Sequence, residues 1–300
     1  MDPTIAIIGA GPAGCSAAVM ASSLNLDTVL IDPAEPCQGV QSIGHLQNVL
    51  GYSSGRDLAD RAVADLARAE HCRLLRSAAT RITADDESVT IDTSGGAVTA
   101  SHAIVAAGVR PATPGETDWV NTQPGHPFTT LTDADPTTLT GQDAVVLGAD
   151  RPLGTMLRSY PNLDLQMLVL YPPAEQYKAA EVAADPRVTL LPTTQVDVHD
   201  EPGIGLDVHA ADGTSRTFPA RLVFTNLGVR PALPAGDIAV DDLGYCPPQM
   251  QHPRILTAGD CVSPRHQRIA VALGAGAYAA LTIFYALNGV GTGTSAVSMT

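Results

Sequence analysis

The most constraining feature of the chain is an apolar run ending in a glycine turn, Ile5-Ala6-Ile7-Ile8-Gly9-Ala10-Gly11-Pro12-Ala13-Gly14. The same architecture begins again, with a different turn, at Ala144-Val145-Val146-Leu147-Gly148. A short apolar run closed by glycine suits a central parallel strand covered on both faces. Ala13 to Leu24 then reads as a small-residue helix, and Thr28-Val29-Leu30-Ile31-Asp32 as a second strand. Strand, glycine turn, helix, strand and terminal acid make the βαβ unit of a dinucleotide site. Gly9 permits the tight turn, Gly11 lets backbone approach a pyrophosphate, and Gly14 lets helix and strand pack closely. The amides and dipole of the helix start would hold the phosphates, and Asp32 could accept hydrogen bonds from a ribose.

Farther along, Arg56 to Glu70 reads as an amphipathic helix with Leu58, Ala62, Leu66 and Ala69 on one face. Stretches at Thr80–Thr83 and Val89–Asp92 look like a small antiparallel layer. An internal repeat is also visible. His102-Ala103-Ile104-Val105-Ala106-Ala107-Gly108-Val109-Arg110-Pro111-Ala112 parallels Arg221-Leu222-Val223-Phe224-Thr225-Asn226-Leu227-Gly228-Val229-Arg230-Pro231-Ala232. Each copy follows one of the two strand–glycine openings, so two copies of one unit are the economical explanation. The Pro-, Gly- and Thr-rich segment Pro111–Gly125 is the natural linker into the second copy, and another boundary falls between Gly236 and Tyr245.

A net charge of −14 argues against nucleic acid or an anionic membrane surface as partner. The five cysteines include no Cys-x-x-Cys pair, which makes a disulfide framework or zinc site unexpected and a reducing cytoplasm the expected compartment. The segment from Ile269 to Val290 carries no charge and passes a length test for a membrane span. Its glycines and its place after a cofactor-type motif favour a buried helix instead.

That motif is Arg254-Ile255-Leu256-Thr257-Ala258-Gly259-Asp260-Cys261, an apolar strand ending in Ala-Gly-Asp before a long small-residue helix. Together with the opening turn it resembles the flavin-binding end of the pyridine nucleotide-disulfide oxidoreductases. Length and the Gln267-Arg268…Gly274-Ala275-Gly276 stretch narrow the resemblance to the low-molecular-weight thioredoxin reductase branch. The resemblance implies an α/β fold of two Rossmann-like three-layer domains. An FAD domain over 1–113 and 244–300 would be split around an NAD(P)H-type domain over 114–243. It implies FAD as cofactor, a homodimer, and cofactor contacts from Gly9, Gly11, Pro12, Ala13, Gly14, Asp32, Gln41, Asn48, Ala107, Gly108, Gly259, Asp260, Gln267, Arg268 and Ile269. Gln41 and Asn48 enter because Gln38-Gly39-Val40-Gln41 and Asn48 occupy the region of the family's Gly-Gly-Gln stretch and following Asn.

The middle of the chain departs from the family. Where NADPH-using members carry a second Gly-x-Gly-x-x-Ala/Gly loop, this chain has Gly148-Ala149-Asp150-Arg151-Pro152-Leu153. Asp150 adds bulk and like charge, which on contact with a phosphate costs on the order of 1–4 kcal/mol. Leu168-Val169-Leu170-Tyr171-Pro172-Pro173 offers no cation for a 2′-phosphate, although Arg151 could restore one phosphate contact. The family's Cys-x-x-Cys is missing as well: the corresponding stretch around Pro127–Asp133 has no cysteine. Cys37, Cys261 and His266 remain as catalytic candidates, beside Cys15 at the start of the first helix and the loop histidines His45 and His126.

The leading expectation is an FAD-dependent oxidoreductase whose flavin is reduced by a substrate or protein donor. One alternative keeps NAD(P)H as donor through an atypical loop, for a flavin-, ferredoxin- or low-molecular-weight-disulfide-type reductase. Another is a non-enzymatic FAD-binding redox sensor or scaffold.

Overall fold

A computed structural model of the 300-residue chain describes residues 4–123, 127–199 and 204–290. In chain order, β1 (Ile5–Ile8), α1 (Pro12–Ser23), β2 (Thr28–Ile31), α2 (Gly55–Arg68) and β3 (Cys72–Leu75) come first. The strands β4 (Ala79–Ala84), β5 (Val89–Thr93), β6 (Gly96–Ala100) and β7 (His102–Val105) follow. After β8 (Val109–Pro111) come β9 (Val120–Thr122), β10 (Thr129–Thr130), β11 (Gln142–Leu147), α3 (Pro152–Ser159), β12 (Leu165–Tyr171) and α4 (Gln176–Ala179). Then come β13 (Val188–His199), β14 (Gly205–Ala210), β15 (Ser215–Pro219) and β16 (Val223–Thr225). The chain returns through β17 (Val229–Pro231), β18 (Ala235–Gly236), β19 (Ile255–Thr257) and α5 (Ile269–Leu287). Residues up to Val109 and from Arg230 onward form one compact unit, and Arg110–Val229 forms the other.

The first unit is built on a parallel sheet of order β19-β7-β1-β2-β3. Side chains alternate across it, as a strand requires. Ile5, Ile7, Leu30 and Ile104 face α1, α2 and α5, whereas Ala6, Ile8, Val29, Ile31, Ala103 and Val105 face the antiparallel β4-β5-β6 layer through Ile82, Val89 and Ile91. The central strands of the parallel sheet are thus covered on both faces, which explains the unbroken apolar run of β1. Small residues let α1 and α5 approach closely: a Cβ on Gly276 would lie 1.9 Å from the Ala13 carbonyl oxygen, and the Ser16 hydroxyl donates to the Leu273 carbonyl at 2.7 Å. The Ser54 side chain caps α2 by accepting the Asp57 amide.

The second unit repeats the plan with a sheet of order β10-β16-β11-β12-β13-β14-β15, with β9 alongside β13. β13 runs parallel to β12 over Val188–Pro192 and then antiparallel to β14 from Thr193 to His199. Val146 and Val169 pack toward α3, and Val145, Leu147 and Leu170 toward Val196, Leu206 and Val208.

Two sequence expectations shift. The return to the first unit lies at 229/230 rather than at 243/244. The reason is that β18 pairs with β4 and that Leu233 and Ile238 pack on the core of the first unit. α5 is long and apolar enough to cross a membrane by length and composition, and only 28% of it is buried, where the sequence suggested a buried helix. Ala272, Gly276, Ala279, Ala280 and Ile283 face the core, and Val271, Tyr278 and Tyr285 are exposed.

Candidate functional site

The parallel register places Ile8, Ile31, Val105 and Thr257 at one edge of the first unit's sheet, the carboxyl edge where open α/β sheets bind ligands. The segments leaving that edge are the glycine turn, Asp32, Ala106–Gly108 and Ala258–Asp260. Gly9 has φ +99°, and a Cβ there would sit 2.4 Å from the Ala106 carbonyl oxygen. Gly14 stands in the first turn of α1 with its would-be Cβ 1.8 Å from the Gly9 carbonyl oxygen. These two glycines let the turn fold back on itself. Gly11, the N-cap of α1, has extended backbone, and a Cβ there would meet no atom within 4 Å. The turn therefore opens onto space at the end of a 12-residue helix whose first amides lack intrahelical acceptors.

Asp32 braces this turn. Its Oδ2 accepts the Ala10 amide at 2.6 Å and its Oδ1 accepts the Ala34 amide at 2.8 Å. A carboxylate has about four acceptor positions, so a ribose hydroxyl can still be served. On the other side, a Cβ on Gly259 would lie 2.9 Å from the Ala13 Cβ, which brings the Ala-Gly-Asp segment against the first turn of α1. Gln267 donates to the Asp260 and Ser263 carbonyls, both at 3.2 Å, and holds the connection from Asp260 to α5. Arg268 is the N-cap of α5 and Ile269 its first residue. Gly259, Asp260, His266 and Gln267 border an open cleft of about 670 Å³ along the outer side of α5.

Gln41 ends a short 3-10 turn over Gln38–Val40, and Asn48 and His45 are exposed. His266 is exposed with φ +63°, an uncommon backbone for a non-glycine residue. His126 lies outside the described residues. Cys37 and Cys261 are 2% and 0% exposed, so neither offers a thiol at the surface. Cys37 contacts Cys15, with the sulfurs 3.9 Å apart. The Cys261 thiol donates toward the Ala258 carbonyl at 3.3 Å, and the Cys246 thiol donates to the Cys261 carbonyl at 3.2 Å.

The second turn is closed. Gly148 repeats the geometry of Gly9: φ is +100°, and a Cβ would lie 2.2 Å from the Asn226 carbonyl oxygen. Beyond it the two turns part. Gly9 precedes Pro12 by three positions and Gly148 precedes Pro152 by four, and each proline opens its helix. The second turn is one residue longer, so Gly154, not Leu153, takes the helical position of Gly14. Its N-cap, Arg151, is already helical (φ −47°, ψ −34°), and the Leu153 amide turns inward to the Asp150 carbonyl at 3.1 Å. The buried Asn226 side chain donates to the Asp150 carbonyl at 2.8 Å and the Gly148 carbonyl at 3.3 Å.

Lys178, the chain's only lysine, lies 3.5 Å from the Asp150 carboxylate and 2.8 Å from Glu175. Burial lowers the Lys178 pKa, but Glu175 and Asp150 outweigh it and the net direction is upward, so the ammonium is retained. The sequence marked Asp150 as added bulk and like charge in this turn, and in the structure Lys178 reaches that carboxylate from α4. The sequence reading missed Asn226 and Lys178. Asn226 was detectable as the residue that replaces Ala106 between the two repeat copies.

Residues 3–150 match the family described as pyridine nucleotide-disulphide oxidoreductase. No curated protein matches the sequence. Among solved structures, the chain is similar to T. acidophilum thioredoxin reductase, with 21% identity over 96% of this chain and 99% of that one and a TM-score of 0.77. Lactococcus lactis thioredoxin reductase in its FR conformation gives 17% identity over 94% and 98%, with a TM-score of 0.76. Bacillithiol disulfide reductase from Bacillus cereus gives 17% over 94% and 99%, with a TM-score of 0.72. Over residues 3–150 the chain is similar to the pyridine nucleotide-disulphide oxidoreductases, and its fold is that of the thioredoxin reductases.

Proposed function

We propose that the chain is an FAD-binding oxidoreductase that draws electrons from a substrate or protein donor rather than from a nicotinamide nucleotide. The observation that carries this reading is the contrast between the two turns. One has an extended glycine N-cap beside open space. The other has a helical N-cap, an inward-turned amide and a carboxylate held by Lys178.

The residues of the first unit fit FAD. Gly11 leaves room for a pyrophosphate, and the amides of Ala13 and Gly14 at the positive end of α1 would hold its charge. Asp32 keeps the Ala10 amide committed to itself, so the turn is set before a ligand arrives. Gly259 lets the Asp260 segment close on α1, and Gln267 keeps that segment in place. Bound flavin supplies reversible one- and two-electron transfer.

No Cys-x-x-Cys occurs in the chain, so a dithiol relay of that type is not part of the reading. Five free thiols suit a reducing cytoplasm. The exposed Val271, Tyr278 and Tyr285 along α5 support a homodimer with that face covered.

One anaerobic experiment tests the proposal. Purified protein is mixed with NADPH and then NADH while the flavin absorbance is followed. The flavin should stay oxidised, and it should return to the oxidised form in air after chemical reduction. Prompt bleaching by either nucleotide refutes the donor assignment, and protein that emerges colourless and takes up no added FAD refutes the cofactor assignment.

A further inference from the structure

Two cysteines far apart in sequence meet beneath the glycine turn. Cys15 lies in α1 and Cys37 ends the segment that follows Asp32, with their sulfurs 3.9 Å apart. The Ala10 carbonyl accepts the Cys37 amide at 2.7 Å and the Cys15 thiol at 3.1 Å, so the pair converges on the second residue of the turn. The Cys37 backbone is left-handed, φ +56°, a conformation that side chains other than glycine, asparagine and aspartate adopt rarely. This backbone turns the Cys37 thiol inward, next to the exposed Gln38 and Gly39. A disulfide needs its sulfurs about 2.05 Å apart, which here asks each to move about 1 Å.

We propose that Cys15 and Cys37 are an oxidant-responsive thiol pair whose disulfide ties the segment after Asp32 to α1 and locks the dinucleotide turn. The oxidant is a peroxide. Cys37 sulfur attacks the peroxide oxygen, the O–O bond breaks and a sulfenic acid forms. Cys15 sulfur then attacks that sulfur and expels water. In sum both thiols lose their hydrogens, one S–S bond forms and hydrogen peroxide becomes two waters.

The order of attack follows from position: Cys37 stands next to the exposed Gln38 and Gly39, whereas the Cys15 thiol, inside α1, donates to the Ala10 carbonyl. The contact between the sulfurs acts in the same sense, lowering the Cys37 thiol and raising that of Cys15. Asp32 faces both sulfurs and Cys72 faces Cys15; their charges raise the thiols they face without reversing this order.

The linkage itself is independent of what the turn binds, whereas its effect on retention rests on the FAD reading. The full-length protein is treated with hydrogen peroxide under native conditions, alkylated, digested and mapped by mass spectrometry. A peptide pair joined through Cys15 and Cys37, and reversed by dithiothreitol, is expected. Absence of that pair, or a Cys246–Cys261 linkage in its place, overturns the proposal. In Cys15→Ser, dimedone should trap a sulfenic acid on Cys37; an adduct elsewhere overturns the order of attack. Should that variant not fold, brief peroxide treatment of the wild type with dimedone present reads the same site. Flavin release from the holoprotein on dilution, followed by fluorescence, should slow at least threefold after oxidation. An unchanged rate in linked protein overturns the lock. Linked protein that never held flavin counts against the FAD reading and leaves the thiol pair standing.

Discussion

Asn226 is where closure of the second turn can be measured. Substituting alanine removes both side-chain donors, the 2.8 Å bond to the Asp150 carbonyl and the weaker 3.3 Å bond to the Gly148 carbonyl. A net hydrogen bond contributes about 0.5–1.5 kcal/mol, and a buried carbonyl left without its donor costs about 1–3 kcal/mol. Asn226 is 5% exposed, so water does not readily replace the donors. Asn226→Ala should thus destabilise the second unit by about 1–3 kcal/mol. With a urea slope of about 2 kcal/mol per molar, the midpoint falls by roughly 1 M. Asn226→Asp is the sharper test, because it keeps the shape and places an acceptor against two carbonyl oxygens; it should destabilise more than alanine does. Urea titrations followed by far-UV circular dichroism and by Trp119 fluorescence, which reports from the second unit's core, read both variants. An Asn226→Ala midpoint within about 0.2 M of wild type would refute the view that this side chain staples the turn. So would an Asn226→Asp variant as stable as wild type. The double variant Asp150→Gly/Asn226→Ala should then gain measurable NADPH affinity by calorimetry that neither single change confers, since each leaves the other closure in place.

Two further outcomes follow from the geometry. Gly14→Ala places a methyl 1.8 Å from the Gly9 carbonyl oxygen, backbone that cannot give way cheaply, so the purified variant should carry less than a tenth of the wild-type flavin and unfold at lower temperature; full flavin content with unchanged melting would contradict it. In the second unit, the Arg110 guanidinium grips Glu116 through bonds of 2.8 and 2.7 Å and holds its carboxyl down at about 2 from an ordinary 4.5. A depressed acid stabilises the fold above its ordinary pKa and loses that effect as pH falls, here between about 4.5 and 2. The stability difference between wild type and Glu116→Gln should be constant above pH 5 and vanish near pH 2; a difference independent of pH would rule this out.

How much was legible beforehand differs between the two turns. At the first, every contributing residue sits within a few positions of a strand or helix end, so Gly9, Gly14 and Asp32 could be assigned from spacing alone. Their contacts with Ala106 and Ala13 follow once the parallel order of β19, β7 and β1 is known. At the second, Asp150 was visible as an intruder, but its partners were not. Lys178 and Asn226 lie 28 and 76 positions away, and no periodicity links them to the turn. The extra residue before Pro152 also escaped notice, because an alignment by glycines hides where the helix begins.

Local chemistry alone therefore determined the two apolar strands, their glycine turns, the acid after β2 and the duplication of one α/β unit, since each depends on residues within a turn or two of one another. Tertiary structure decided what those turns could do. Whether a turn stays open depends on which side chains the sheet order carries to it, and that is set by strands and helices distant in sequence. The same holds for Cys15 and Cys37, which are 22 positions apart and meet only because β2 runs parallel to β1 and returns the chain to the same edge of the sheet.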